Sequence, residues 1–468
     1  MDSVCRTLHS FLTEQASHCP DRKLLGDDQG WISARQTLCQ VEKRAEALVS
    51  IGIQTGDLVA LRAYRSVDTA LEILALQSIG AVAVLTDPRQ DIDDFFAERG
   101  TRLPVVAAVD GKNRRLLRRK ITRPLGLVDP KAPGFVIFTS GSTGKAKAVM
   151  LSQYNLVNNL LDSKPLGDYR TDDIALGVLP LDHVFGLVLL AGICVLGYGL
   201  FFPRGKDVPS LLSTIEQQPI TRMNGVPALY LAMAEQSGTY DISSLRAGFI
   251  GGGPYTQDQF RRIERVLGMT LIPVYGMSEF VGIACGCHRD SQARRADGVG
   301  RFYSMNTGKI LLEDGTEALP GRAGEICVDG PAKMVGYYGN EPLGDSLWHT
   351  GDLGWLDTQG CLHITGRAKD IIIRNGVNLS PVRIEHKLLE IPGVSDAAVV
   401  GLADEKTGEL PWAMVVYSGT ADLGQEAGKR LPKNEVPVGF CVVDTLPKTA
   451  AGKPDKQKIR EVLSNWKV

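Results

Sequence analysis

The sequence has almost no excess of charge of either sign. Its 468 residues include 52 Lys and Arg against 53 Asp and Glu, which gives a formal net charge of -1. Nucleic-acid-binding domains usually carry a basic patch, and anionic membranes attract polybasic segments. The short basic run at Arg114-Arg115 and Arg118-Arg119-Lys120 is interpreted as a solvated helix face. We therefore expect neither a nucleic acid nor a membrane surface as a partner.

Long hydrophobic runs are also scarce. The longest uncharged stretch relevant to a membrane, Val184 to Phe202, has 19 residues, against the ~20 needed to span a bilayer. Gly197-Tyr198-Gly199 divides it into a helix of about three turns and a short strand at 200–202. A helix of that length cannot cross the hydrocarbon layer, so we predict a buried core element and no transmembrane segment.

The cysteines do not form a disulfide framework. There are nine, an odd number without the regular spacing of a disulfide-rich domain. The first residues, Met-Asp-Ser-Val-Cys, lack the apolar core of a signal peptide. A reducing cytoplasm is therefore the predicted location.

What is abundant is length, glycine and an alternation of helices with strands. A chain of 468 residues predicts two or more domains, and the 51 Gly suit many tight loops. A helix at 35–50 and a helical segment at 69–78 alternate with apolar strands, a pattern typical of parallel sheets covered by helices. Short strands with Gly turns follow residue 297, and a compact α+β module with a helix at 381–389 follows Gly366-Arg367. The predicted strands are 58–63, 81–85, 135–138, 174–178, 246–250 and 270–274.

A Ser/Thr/Gly-rich loop, Thr139 to Lys147, directly follows the strand at 135–138. Its backbone N–H groups, hydroxyls and lysines suit phosphate oxygens. It is not a Walker A loop, because Gly144-Lys145 is followed by Ala146 instead of Ser or Thr. No Gly-x-Gly-x-x-Gly follows a strand, so a Rossmann dinucleotide site has no support.

Six further segments appear between this loop and the end of the chain. They are Leu179 to Gly186, Gly251-Gly252-Gly253-Pro254, Tyr275-Gly276-Met277-Ser278-Glu279, Gly324 to Asn340, Thr350-Gly351-Asp352 with Gly366-Arg367, and Leu446 to Lys453. In order and spacing the series resembles the adenylate-forming superfamily, which includes acyl-CoA synthetases, peptide-synthetase adenylation domains and firefly luciferase. The resemblance implies an α/β fold with a large N-terminal domain, made of two stacked α/β subdomains and a small β-barrel-like subdomain. A small mobile α+β C-terminal domain follows, with boundaries at 1–367 and 368–468.

The resemblance also implies a nucleotide site. The phosphate-binding residues are then Thr139, Ser140, Gly141, Ser142, Thr143, Gly144 and Lys147. Gly251, Gly252 and Gly253 border the adenine, on which Tyr275 stacks, and Gly276 and Met277 belong to the same motif. Ser278 bonds the α-phosphate, Glu279 holds Mg2+, Asp352 binds the ribose hydroxyls, and Arg367 completes the site.

Catalysis is implied to involve Lys453, Glu279, Ser278 and His183. A carboxylate that approaches ATP is repelled by the negative charge of the triphosphate, and Mg2+ and lysines reduce this repulsion. Lys453 bridges the carboxylate and the α-phosphate during adenylation. The C-terminal domain then swings about Lys369, which brings Gly376 to line a pantetheine tunnel. The implied cofactors are ATP, Mg2+ and CoA.

The predicted activity is ATP-dependent conversion of a fatty or aryl acid to an acyl-adenylate, followed by transfer to CoA, with a medium-chain fatty acid favoured as substrate. Alternatives are a free-standing ligase that loads a carrier protein, an amino-acid-activating enzyme and a non-catalytic nucleotide-binding relative. Departures from the family pattern occur at Ala146, Ala148, Asp182 and Arg383. Because of Ala146 and Ala148 the resemblance does not predict the conformation of the loop, and because of Asp182 it does not predict the lining of the acyl pocket. The change at Arg383 has no physical explanation.

Overall fold

The structure is a computed structural model, and it describes residues 3–98, 103–110, 113–116, 126–139, 146–341, 343–344, 346–448 and 454–466. Within these residues the helices are α1 (Leu8–His18), α2 (Ala34–Ser50), α3 (Val67–Ser78), α4 (Ile92–Glu98), α5 (Gln153–Ser163), α6 (Val184–Val195), α7 (Val208–Gln217), α8 (Pro227–Gln236), α9 (Gln257–Leu267), α10 (Gln292–Asp297), α11 (Pro381–Leu389), α12 (Leu423–Gly428) and α13 (Lys456–Trp466).

The strands, again within the described part of the chain, belong to four sheets. In chain order they are β1 (Lys23–Asp27), β2 (Gly30–Ser33), β3 (Leu58–Arg62), β4 (Val82–Thr86), β5 (Ala107–Asp110), β6 (Asn113–Leu116), β7 (Pro133–Thr139), β8 (Lys147–Ser152), β9 (Ile174–Leu176), β10 (Gly199–Phe201), β11 (Arg222–Met223), β12 (Ala247–Ile250), β13 (Thr270–Met277), β14 (Phe280–Cys285), β15 (Arg301–Phe302), β16 (Thr307–Leu311), β17 (Gly324–Asp329), β18 (Gly336–Tyr337), β19 (Trp348–Leu356), β20 (Leu362–Arg367), β21 (Ile372–Arg374), β22 (Val377–Leu379), β23 (Val394–Asp404), β24 (Gly408–Tyr417) and β25 (Gly439–Val442).

Two large sheets form the bulk of the molecule. The seven-stranded sheet has the order β18-β8-β7-β4-β3-β5-β6, and the nine-stranded sheet has the order β15-β14-β13-β12-β11-β9-β10-β1-β2. The central pairs of both are parallel, and antiparallel strands lie at the edges. Their central strands are buried on both faces, as in β4, because helices cover parallel sheets on each side. One continuous hydrophobic core joins the two sheets. This confirms the predicted α/β class.

Two smaller units follow in the chain. The first is a four-stranded antiparallel sheet of order β16-β17-β19-β20, where short strands with Gly turns are predicted. The second is a five-stranded sheet in which β24 pairs with β21, β23 and β25, with separate hydrophobic clusters. α11 occupies the predicted helix range at 381–389.

Local sequence explains where several helices begin. Ser33 with Gln36, Ser152 with Asn155, and Thr256 with Gln259 form capping boxes at the starts of α2, α5 and α9. In each box the two side chains satisfy backbone N–H groups that have no partner within the helix.

The uncharged run at 184–202 forms α6 and β10, both within the large core. No helix in the described ranges is long and apolar enough to cross a membrane.

The basic run near residue 114 differs from its prediction. Residues 113–116 form β6 and not a helix, and Arg114 pairs with the buried carboxylate of Glu72, 2.7 Å away. Arg44 contacts the same carboxylate at 3.1 Å. The interpretation of Arg114 as part of a solvated helix face is therefore wrong, because Arg114 lies on a strand and pairs with Glu72, a buried acid far from it in the sequence. Residues 118–120 lie outside the described residues.

Candidate nucleotide and acyl site

Described residues of each predicted motif line one cleft with a volume of about 2430 Å3. β12 and β13 are parallel neighbours, so their carboxyl ends lie at the same edge of the nine-stranded sheet. The Gly251-Gly252-Gly253 turn follows β12, while Tyr275 to Met277 form the end of β13. Asp352 on β19 and Arg367 on β20 also line the cleft. The fold thus brings residues from two sheets to one cleft.

The glycine turn leaves backbone exposed to the cleft. A Cβ on Gly251 would lie 2.7 Å from the Val274 carbonyl oxygen, and Gly252 has φ +81°. A side chain is therefore excluded by contact at the first position and disfavoured by the left-handed conformation at the second. Gly276 is equally restricted, since its Cβ would lie 2.5 Å from the Val281 oxygen. Backbone packing and conformation therefore require glycine at these positions, which line the cleft.

Asp352 is the centre of a buried hydrogen-bond network. Its Oδ2 accepts from the Tyr275 hydroxyl at 2.5 Å, and its Oδ1 accepts from Arg367 Nε at 3.0 Å. The register of β19 and β20 places Asp352 and Arg367 directly opposite each other. Burial, and then the nearby carboxylate, raise the pKa of Tyr275 well above its ordinary value. The phenol therefore remains a donor to Asp352 at neutral pH.

Glu279 lies in the turn between β13 and β14, beside Ser278, and both residues line the cleft. The Tyr337 hydroxyl donates to Glu279 Oε1 at 2.8 Å, and the Glu279 carbonyl accepts from Met334 N–H at 2.9 Å. Burial, followed by the charge on Glu279, raises the pKa of Tyr337. The sequence indicated no site role for Tyr337, which belongs to the segment Gly324 to Asn340. The structure shows that it orients a site carboxylate.

The predicted phosphate loop connects β7 to β8, an antiparallel pair in which Thr139 lies opposite Lys147. Both of these residues line the cleft, and Lys147 Nζ lies 4.9 Å from the centre of the Tyr337 ring. The remaining predicted loop residues, Ser140, Gly141, Ser142, Thr143 and Gly144, lie outside the described residues. Lys147 and Glu279 therefore both contact Tyr337.

A second part of the cleft is lined mainly by aromatic and small polar side chains. His183 faces it and also caps α6, because its Nδ1 accepts from Phe185 N–H at 3.2 Å. The Tyr169 ring lies 5.8 Å from Tyr198 and 6.1 Å from Phe249, measured between ring centres. The other lining residues on this side include Asn159, Ser163, Val188, Asn224, Val281, Gly282 and Tyr303. Such a lining suits a planar or apolar group.

The C-terminal module faces the same cleft. Lys369, which belongs to a short 3₁₀ turn at 368–370, lines this cleft. Lys448, Pro454 and Lys456 line it as well. Lys453 lies outside the described residues. Gly376 does not line the cleft, since it lies in the exposed turn between β21 and β22.

Comparisons with protein-family models identify the class of protein. Residues 12–96 and 98–338 match the AMP-binding enzyme family, and residues 383–453 match the AMP-binding enzyme C-terminal domain. The first match covers well over half of the chain. This chain therefore belongs to the AMP-binding enzyme family, and the predicted membership of the adenylate-forming enzymes is confirmed.

Individual relatives support the same class. The 2-succinylbenzoate–CoA ligase of Bacillus cereus is 28% identical over 486 aligned residues, which cover 98% of this chain and 99% of that protein. The Bacillus subtilis o-succinylbenzoate CoA synthetase, solved with its acyl-adenylate intermediate, is 25% identical with a TM-score of 0.84 and 98% coverage of both chains. ATP-bound MatB from Rhodopseudomonas palustris shares the fold, with a TM-score of 0.86, 24% identity and 99% coverage of both.

Proposed function

We propose that this chain is an AMP-forming aryl acid–CoA ligase. The acid's carboxylate oxygen attacks the α-phosphorus of ATP, and pyrophosphate leaves with the bonding electrons. The CoA thiolate then attacks the acyl carbon, forming the thioester and releasing AMP. The observation that carries this proposal is one cleft that contains the Asp352 network, the Glu279–Tyr337 pair and an aromatic pocket. The names of the relatives favour an aryl acid over the medium-chain fatty acid expected from the sequence.

Asp352 and Tyr275 are proposed to hold the nucleoside. A carboxylate can accept from the two ribose hydroxyls, because each oxygen has more than one lone pair. Arg367 pairs with the same carboxylate and orients it. The glycine turn at 251–253 and the Tyr275 ring supply flat surfaces for adenine, with Gly276 and Met277 continuing that wall.

Glu279 is proposed to hold Mg2+. One carboxylate oxygen is occupied by Tyr337, and in the described structure the second has no hydrogen bond from a neighbouring side chain. Mg2+ is commonly bound by one or two carboxylates together with water and substrate phosphates, so this single acid fits. When bound, the ion offsets phosphate charge. Ser278, Thr139, Lys147 and the loop at 140–144 are proposed to contact the phosphates, and Tyr337 keeps Glu279 directed into the cleft.

His183 is proposed to border the bound acid, because it lies at the start of α6 and faces the aromatic pocket. Lys453 is proposed to reach the α-phosphate. Residues 1–367 and 368–468 are proposed as separately moving domains with Lys369 at the hinge, and Gly376 as part of the thiol path after rotation.

The nine cysteines are all free thiols, which supports a reducing cytoplasm as the location.

The central experiment is ATP–pyrophosphate exchange with benzoate, the three monohydroxybenzoates, 2-succinylbenzoate, octanoate and phenylalanine. Product mass is then measured with CoA. We expect exchange with at least one aryl acid and a CoA thioester of that acid. Exchange without a CoA product, together with acylation of a phosphopantetheinylated carrier protein, would favour the carrier-loading alternative. No exchange with any acid would show that the proposed function is wrong.

A further inference from the structure

The wall of the aromatic pocket contains a polar group that the protein itself leaves without a partner. Asn159 on α5 is only 6% exposed and lines the cleft. Its Nδ2 has no hydrogen-bond partner among the residues that the structure describes. A buried amide donor in this condition carries the full cost of its lost hydration. Native proteins rarely retain such groups without a reason.

The neighbouring asparagines of α5 show the contrast. Asn155 Nδ2 donates to the Pro331 and Lys333 carbonyls at 2.8 and 2.7 Å. Asn158 Nδ2 donates to Val4 O at 3.0 Å, and its Oδ1 accepts from Val4 N–H at 2.6 Å. These two amides brace the fold. Asn159, on the same helix, is left for another partner.

Gly282 on β14 lies directly against the Asn159 amide. A Cβ at Gly282 would lie 2.1 Å from Asn159 Nδ2 and 2.8 Å from the Tyr303 ring. Gly282 does not have a positive φ, so contact alone requires glycine here. Even an alanine at this position would meet the amide. The missing side chain thus gives the Asn159 amide and the Tyr303 ring the room they occupy in the pocket wall.

The charge around this end of the pocket does not suit a second carboxylate. Among the described residues lining it, Asn159, Ser163, Tyr169, Tyr198 and Tyr303 are neutral. One cation, Arg222, lies against Tyr169, with its guanidinium 4.2 Å from that ring's centre.

Arg222 is already fully engaged. It is 2% exposed, donates to the carbonyls of Gly167 and Asp168 at 2.7 and 3.0 Å, and pairs with Asp173 at 3.5 Å. Arg222 is thus committed to the protein and leaves this end of the pocket neutral.

From this geometry we infer that the pocket selects an aromatic monocarboxylic acid with a ring hydroxyl, which bonds the Asn159 amide. A hydroxyl both donates and accepts, so it satisfies the amide in either of its two orientations. This inference rests on the proposed function, since it names the acid that the ligase activates. It also separates the substrate from that of the 2-succinylbenzoate ligases, whose name specifies a second acid group.

The test compares Asn159→Leu with the unaltered protein in pyrophosphate exchange. We expect the unaltered protein to prefer one monohydroxybenzoate over benzoate by roughly 10- to 100-fold in kcat/KM, the range that one buried hydrogen bond supports. In Asn159→Leu this ratio should fall to about 1, because kcat/KM for the hydroxybenzoate falls more than kcat/KM for benzoate. Gly282→Ala should reduce the same ratio, because its methyl group displaces the amide.

Asn158→Leu is the matched control, because it alters the adjacent amide that braces the fold. It should lower the melting temperature and leave the hydroxyl preference unchanged. Equal losses for benzoate and hydroxybenzoate in a folded Asn159→Leu would overturn the inference. A preference of the unaltered protein for octanoate or 2-succinylbenzoate would do the same. Exchange with no acid at all would instead contradict the proposed function.

Discussion

At the scale of single residues, the Asp352 carboxylate has two protein partners in addition to its proposed role with ribose. Tyr275 binds one oxygen and Arg367 the other. Because Asp352 is buried, these bonds are made in an environment where charge-assisted hydrogen bonds are strong. Asp352 therefore fixes the positions of Tyr275 and Arg367 as well as offering lone pairs to a ligand.

Asp352→Ala is expected to weaken ATP binding by roughly 10- to 100-fold, since hydrogen bonds to charged groups contribute about 1.5–3 kcal/mol. The KM for the acid should change much less, because this side chain lies on the nucleotide side. Isothermal titration calorimetry with ATP provides the measurement. Tyr275→Phe serves as a control that removes one hydroxyl and keeps the carboxylate. Unchanged ATP affinity in folded Asp352→Ala would exclude the ribose assignment.

Sequence reasoning identified Asp352, Arg367, Tyr275 and Glu279, and the structure brings all four to one cleft. It did not identify the link between Tyr337 and Glu279. That bond joins β18, at the edge of one sheet, to a turn of another, so no spacing along the chain reveals it. Asn159 was missed for a related reason. Three asparagines on one helix look alike in sequence, and only their partners distinguish them.

At the scale of elements, the hairpin of β21 and β22 changes the interpretation of Gly376. Arg374 and Val377 pair across a two-residue turn in which Asn375 has φ +52° and Gly376 has φ +75°. An Asn-Gly pair with both φ values positive is the preferred sequence of a type I′ hairpin turn. Gly376 is thus required for the turn, whatever its role in a thiol path.

Gly376→Trp should accordingly be paired with Gly376→Asn, because Asn tolerates positive φ without the bulk of an indole. If the turn lines the thiol path, the Trp variant loses roughly 100-fold in thioester formation and keeps pyrophosphate exchange within about threefold. The Asn variant should retain both steps. Mass spectrometry of the product and a melting curve for each variant give the readout. Normal thioester formation by folded Gly376→Trp would contradict the path, whereas equal loss in both variants would indicate turn strain alone.

Elements with strong periodicity were predictable. The helix at 381–389, the helix ending before Gly52 and the central strands occur where apolar spacing and glycines indicate. Arg114 was not predictable, because its strand and its buried partner Glu72 depend on tertiary packing. A run of basic residues specifies charge along the chain but does not show which acid lies beneath it.

At the scale of the whole molecule, the two proposed domains enclose the cleft from both sides. Lys448 and Pro454, which flank the segment carrying Lys453, line the same cleft as Asp352, whereas Gly376 does not. Ser380, at the start of α11, donates to the Thr365 carbonyl on β20 and so links the two proposed domains. In this arrangement Lys448 and Pro454, and not the Gly376 turn, are the residues of the proposed C-terminal domain that line the cleft together with Asp352.

Lys453→Ala is therefore expected to separate the two half-reactions. Removing a cation that is proposed to contact both the carboxylate and the α-phosphate should lower adenylate formation by at least about 100-fold, since electrostatic stabilisation of a transition state is lost. Transfer from presynthesised acyl-adenylate to CoA should persist, because that step is proposed to follow rotation of the domain. Lys448→Ala is the matched control, as Lys448 lies on the same cleft but its Nζ is 3.5 Å from Asp396 Oδ2. It should retain both steps. Pyrophosphate exchange and single-turnover thioester formation measure them separately, and equal loss of both in Lys453→Ala would contradict a domain rotation between the steps.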